Sequence, residues 1–215
     1  MDKQMIDDLV NQVIRELEKK DKCLQVEASG RHVHLSKEDA QQLFGTDTLT
    51  PERELSQPGQ FLSKEKVNLI GPKGSFKDVA VLGPLREKTQ VEISMTDARA
   101  LGIPPVLKES GDLTNCADLW IQYKNKMIEA KSSAMVAKRH IHMTPEDATH
   151  LQVQDGETVA VRVYGQRQIT FEDVLVRVNP RYQLRMHIDY DEANAVGLGK
   201  NTYGKIISTG EREKA

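Results

Sequence analysis

Four of the six histidines of this 215-residue chain lie in two matching phrases. Arg31-His32-Val33-His34-Leu35-Ser36-Lys37-Glu38-Asp39-Ala40 returns as Arg139-His140-Ile141-His142-Met143-Thr144-Pro145-Glu146-Asp147-Ala148. The two His-x-His pairs stand 108 residues apart, His32 to His140. Residues i and i+2 of an extended strand face one side, so each pair can aim two imidazoles at one point. Imidazole binds zinc and non-haem iron well. Two metal sites are the leading expectation.

A second set of matches runs at a shift of 95 residues, Phe76 to Phe171. Phe76-Lys77-Asp78-Val79 falls on Phe171-Glu172-Asp173-Val174, Arg86 on Arg181, Ala98 on Ala193 and Gly102 on Gly197. At this shift Glu92 falls on His187, so each half offers a His-x-His and a third ligand-type side chain. The two shifts differ by 13, which places an insertion in the first half, around residues 46–60. The repeat indicates two related halves and not a solenoid. Arg86 precedes Glu92 by six residues, after Gly83-Pro84-Leu85, and a turn plus a strand brings it within reach of the same pocket. A guanidinium there suits phosphate or carboxylate.

His32, His34 and Glu92 taken alone also resemble the two-histidine, one-carboxylate set of an iron oxygenase. The string His32-x-His34-x-x-x-Glu38 mimics a cupin pattern, which keeps a metal-dependent oxygenase or hydrolase on a double barrel as the alternative. Glu38, Asp39, Glu146 and Asp147, however, follow Ser36 and Thr144, which read as helix N-caps with Pro145 at the first helical position. Those acids are expected to serve helix starts. His150 lies outside the repeated set and reads as a helix-surface histidine. The GxxxxGK[ST], GxGxxG and GxSxG loops are absent.

The elements that must carry these side chains are mostly short strands. Apolar stretches such as 67–70, 79–82, 119–123, 126–130, 159–163, 169–171 and 174–178 are broken by Gly, Pro and Asp punctuation. Residues 55–61 read as a turn-rich loop. Mainly β structure, two small β-barrels capped by brief helices, is the expected fold. Residues 4–20 form an amphipathic helix by pattern, with Met5, Ile6, Leu9, Val10, Val13, Ile14 and Leu17 on one side.

Net charge is −2, from 30 basic and 32 acidic residues, so no global field points to nucleic acid or a membrane surface. No apolar run approaches the roughly 20 residues of a spanning helix. The amino terminus lacks the basic and apolar regions of a secretory signal. Two cysteines, Cys23 and Cys116, make no disulfide framework and suit a reducing cytosol.

The motifs together resemble one family. Gly30 to Leu35, Leu55-Ser56-Gln57-Pro58-Gly59-Gln60-Phe61, Val81 to Arg86, Thr89 to Ser94, Glu109-Ser110-Gly111-Asp112-Leu113 and Ala137 to Met143 look like the PduL-type phosphotransacylases, phosphate propanoyltransferases of bacterial microcompartments and their relatives. The resemblance covers about residues 22–208. It implies two interleaved β-barrels, one from residues 22–30 plus 134–208 and a central one from 31–130. It implies two zinc ions, one held by His32, His34 and Glu92 and able to take the coenzyme A sulfur, the other held by His140, His142 and His187 and completed by water. It makes Arg86 the phosphate-binding, catalytic residue and puts Ser29, Leu82 and Asn194 against the coenzyme. Arg53 stands where the family has a lysine, and residues 114–118 depart from the small, glycine- and serine-rich segment the family shows there. The implied substrates are acyl-CoA and inorganic phosphate, with acyl phosphate and coenzyme A as products. A homodimer is implied, as is a cytoplasmic location inside a microcompartment, with residues 1–20 recruiting the chain to a shell protein.

Overall fold

The computed structural model describes residues 23–207. The helix expected over residues 4–20, and the shell-recruitment role of 1–20, lie outside them. The first barrel's strands begin with the second in the chain. They run β2 (His32–His34), β3 (Pro51–Glu54), β4 (Phe61–Ile70), β5 (Ser75–Gly83), β6 (Gln90–Glu92), β7 (Leu107–Lys108), β8 (Ala117–Tyr123) and β9 (Lys126–Ala137). The other strands are β1 (Cys23–Ala28), β10 (His140–Met143), β11 (Thr158–Tyr164), β12 (Ile169–Val178), β13 (Arg185–Ile188) and β14 (Tyr203–Ile207). Among the described residues four short helices intervene: α1 (Lys37–Phe44), α2 (Met95–Leu101), α3 (Pro145–Leu151) and α4 (Tyr190–Val196).

Each His-x-His phrase becomes a central strand between one parallel and one antiparallel neighbour. β2 pairs with β5 in parallel and with β6 antiparallel, and β10 repeats this with β12 and β13. One ring closes as β4-β5-β2-β6-β9-β8, with β3 added beside β4 and β7 beside β9. The other closes as β1-β13-β10-β12-β11-β14. Closure removes the exposed hydrogen-bonding edges that an open sheet would leave.

The barrels exchange strands along the chain. β1 immediately precedes the first His-x-His but belongs to the second ring, pairing with β14, while β9 precedes the second His-x-His but belongs to the first ring, pairing with β6. By density of contacts residues 28–138 and 188–194 form one unit, and 23–27, 139–187 and 195–207 the other.

The residue between each pair of histidines faces its barrel core. Val33 is fully buried with its ladder partners Val81 and Val91, as Ile141 is with Val176 and Met186. Strand alternation therefore puts the histidines on the opposite, outer side of each barrel wall. The duplication reaches into backbone detail. Asp78 and Asp173 both take left-handed φ, 54° and 53°, at matched bulges, where they interrupt the β4–β5 and β11–β12 ladders. The stretches 169–171 and 174–178, read separately in the sequence, are thus one bulged strand. The repeated arginines stack on the repeated phenylalanines, Arg31 at 4.1 Å from the Phe76 ring and Arg139 at 5.5 Å from that of Phe171.

The N-terminal caps of the matched helices α1 and α3 differ. Thr144 and Asp147 form a reciprocal capping box on α3, and Ser94 and Asp97 form another on α2. Ser36 caps α1 by accepting from the Asp39 N–H, but the Asp39 carboxylate accepts from the Thr89 hydroxyl instead, and Thr89 also receives the Ser36 N–H at 2.9 Å. α3 ends at Leu151 with Gln152 left-handed at the cap, earlier than the Asp155-Gly156 turn. In the insertion Pro51–Glu54 forms edge strand β3, a position where proline loses no needed N–H. No helix among the described residues is long and apolar enough to cross a membrane.

Candidate metal centre

Strand pairing delivers the third ligand-type residue in each barrel. His32 is the direct antiparallel partner of Glu92, and His140 of His187. Opposed residues of such a pair share a face. His32, His34 and Glu92 are 6%, 3% and 7% exposed, and one ligand atom from each lies within 4.8 Å of the others. They form the one group of three His, Cys, Asp or Glu side chains converging this closely among the described residues. In the second barrel the rings of His140, His142 and His187 stand 4.7 to 5.3 Å apart between centroids.

The first trio fits a cation. His32 Nδ1 lies 2.8 Å from the Gly30 carbonyl, the contact that fixes a tautomer and leaves Nε2 as ligand. Nε2 faces Glu92 at 3.7 Å. His34 Nδ1 is buried and makes no well-formed hydrogen bond, an orphaned polar atom that a cation would satisfy. Burial, with the nearby His32 and Arg86 charges, holds the His34 imidazole well below its usual range, hence in the neutral form a metal requires. Burial alone would push Glu92 up, but His32, His34, the Ser110 hydroxyl and Arg86 outweigh it and hold the carboxyl at about 2. Glu92 is therefore an anion at neutral pH.

Residues to which the sequence assigned no role hold Glu92 in place. The Ser110 hydroxyl donates to Glu92 Oε1 at 2.8 Å, and Gln90 Nε2 donates to the same oxygen and to Ser110 Oγ. The Gly111 N–H closes the network on Gln90 Oε1 at 3.0 Å. Gln90 precedes Glu92 by two residues on β6, so strand periodicity carried its signal; Ser110 arrives from a distant loop, and its motif, Glu109 to Leu113, gave no sign of this contact. Tyr182, also unforeseen, lies 4.3 Å from His142 between ring centroids.

Arg86 reaches the trio. Its backbone N–H donates to Leu35 O at 2.9 Å, and its guanidinium Nη2 lies 2.8 Å from His34 Nε2. Glu38 is exposed in the first turn of α1 and does not join the group. Arg53, exposed on β3, and Leu82 on β5 share the β4 neighbour Leu62, so they lie in one row across the sheet. Ser29 donates its N–H to the Ile188 carbonyl, and Asn194 is exposed on α4. No hydrogen bond joins these four to one another among the described residues.

Comparison with known proteins agrees over nearly the whole chain. A family model described as phosphate propanoyltransferase matches residues 25–199. A phosphate propanoyltransferase of Clostridioides difficile (strain 630) is 51% identical over 206 residues, covering 94% of this chain and 99% of that protein. One from Alkaliphilus metalliredigens is 53% identical over 211 residues, covering 96% and 100%, and one from Thermotoga maritima is 46% identical over 208 residues, covering 94% and 99%. A chain matched over nearly its full length, with its paired His-x-His strands inside the match, belongs to the phosphate propanoyltransferase family.

Proposed function

We propose that the protein catalyses reversible transfer of a short acyl group, propanoyl or acetyl, between coenzyme A and inorganic phosphate at a site holding two zinc ions. Family membership supports the reaction class, and the buried convergence of His32, His34 and Glu92 beside Arg86 is the observation that carries the site. In the forward direction a phosphate oxygen forms a bond to the acyl carbon as the carbon–sulfur bond breaks. The products are acyl phosphate and coenzyme A.

His32, His34 and Glu92 would hold one ion and His140, His142 and His187 the other. When bound, the metal supplies Lewis acidity toward the thioester and the departing sulfur. Arg86 binds phosphate through its guanidinium fork and turns one oxygen toward the acyl carbon, which offsets anion repulsion and supplies positioning. Gln90 and Ser110 keep the Glu92 carboxylate oriented. Ser29, Arg53, Leu82 and Asn194 would contact the coenzyme. The reaction needs no side-chain nucleophile. Cys116 agrees with that: burial raises its thiol pKa, so it is a poor thiolate. A homodimer and recruitment to a microcompartment shell through residues 1–20 complete the reading.

The test is thiol release from propanoyl-CoA by zinc-loaded protein with and without phosphate. Release that needs phosphate, disappears with chelator and returns with zinc supports acyl transfer. Release without phosphate would identify a hydrolase and overturn it. The oxygenase alternative gains nothing from the family match, and its cupin-type Glu38 stands apart from the trio.

A further inference from the structure

The duplication makes each barrel a control for the other, and one row of side chains differs between them. Around His142 the ladder places Arg177 of β12 on one side and Arg185 of β13 on the other. Side-by-side residues of paired strands project to the same face, so both guanidiniums share the outer face of the second barrel with the histidines. At the 95-residue shift the equivalents in the first barrel are Leu82 and Gln90, neither of them charged. The two arginines are therefore not part of the scaffold common to both halves.

Arg185 is engaged. Its Nε donates to Glu27 Oε1 at 3.1 Å and its Nη1 to the Leu184 carbonyl at 2.7 Å. Arg177 is half-buried and has no hydrogen bond, ion pair or ring contact among the described residues. Its five N–H donors thus have no acceptor among the described residues, and its side chain is free to meet an anion.

We propose that Arg177 is a second anion-binding residue, which receives phosphate oxygens of a substrate on the face it shares with His140 and His142. The planar guanidinium fork matches a phosphate edge in two parallel hydrogen bonds. The inference rests on the acyl-transfer reading, whose substrates offer that chemistry twice: as inorganic phosphate and as the phosphate groups of the coenzyme.

The experiment uses the full zinc-loaded chain and compares wild type with Arg177→Ala and Arg177→Lys. The Michaelis constants for inorganic phosphate and for propanoyl-CoA are measured separately, with zinc content and melting temperature as checks on folding. Loss of charge-assisted bonds raises one of the two constants by about 10-fold or more in R177A, with R177K in between. A rise confined to phosphate assigns the inorganic anion. A rise confined to the thioester assigns the coenzyme, and the penalty for using 3′-dephospho-propanoyl-CoA then shrinks in R177A if the 3′-phosphate is the group held. Both constants within about 2-fold of wild type, or a rise in R177A that R177K does not relieve, would overturn the proposal. If wild type shows no phosphate-dependent thiol release, the acyl-transfer reading has failed separately. Calorimetric binding of inorganic phosphate to wild type and R177A then decides Arg177 alone, with equal affinity counting against it.

Discussion

His32 lies directly opposite Glu92 across the β2–β6 ladder, in the register that sets His140 opposite His187 across β10–β13. The ladder itself therefore supplies each third ligand-type residue, with Cβ atoms of such opposed pairs about 5 Å apart. Ligands fixed by backbone pairing are ordered before a metal arrives, so little ordering entropy is left to pay at binding. The two halves keep this device and change its chemistry, carboxylate in one and imidazole in the other.

That difference makes Glu92→Gln informative. The amide keeps the shape of the side chain but loses the charge that the surrounding groups hold ionised down to about 2. E92Q is expected to retain one zinc ion per chain in place of two, measured by elemental analysis after gel filtration. The rate of phosphate-dependent thiol release should fall by more than the roughly 100-fold that loss of an outer-shell partner can cost. Two ions retained with a rate within a few-fold of wild type would remove Glu92 from the ligand set.

Arg86 contacts His34 through its guanidinium while its backbone is tied to Leu35. Arg86→Ala should therefore leave the local chain in place and leave bound zinc at the wild-type level. The Michaelis constant for phosphate is expected to rise about 10- to 100-fold, the range for a lost charge-assisted hydrogen-bond pair. Unaltered phosphate saturation, measured by initial rates at fixed propanoyl-CoA, would sink that role.

How far the sequence could be read depended on whether a signal was local or repeated. His32, His34, His140 and His142 announced themselves by duplication, and the 95-residue shift located Glu92 and His187 before any strand was seen. The matched registers, His32 opposite Glu92 and His140 opposite His187, are the structural counterpart of that repeat. Strand ends were harder. Asp173 broke the apolar pattern of Ile169–Val178 because a left-handed bulge residue sits outside the alternation. β3, with four exposed residues, carries no apolar stripe to betray it. Ser110 stood in the sequence only as part of the Glu109–Leu113 motif, and its role could not be read there, since its approach to Glu92 depends on the fold of a loop 18 residues away.

The Gln90–Ser110–Gly111 network predicts a graded loss. Gln90→Ala removes the donor that touches both Glu92 and Ser110, and Ser110→Ala removes one bond to Glu92. Each should weaken zinc at the first trio about 10- to 100-fold, the range for partners that orient a metal ligand. Competition with a chelator of known affinity reads this directly. Because the two side chains bond each other as well as Glu92, the double variant should lose less than the product of the single losses. Strictly multiplicative losses would show that they act independently.

Ile141 offers a test of how the core supports the site. It sits between His140 and His142, is fully buried, and faces Val176 and Met186 across its two ladders. Ile141→Ala should cost about 2–5 kcal/mol in urea unfolding of the metal-free protein, and Ile141→Val about 0.5–1.5 kcal/mol. The histidines face the other side of the strand, so the deleted atoms touch no ligand of the proposed second ion. Zinc that binds the folded chain alone should then raise the stability of I141A, by about 2.7 kcal/mol at 100 times its dissociation constant. If zinc stabilises wild type but not I141A, the cavity has displaced His140 and His142, and the core and the metal site would have to be treated as one unit.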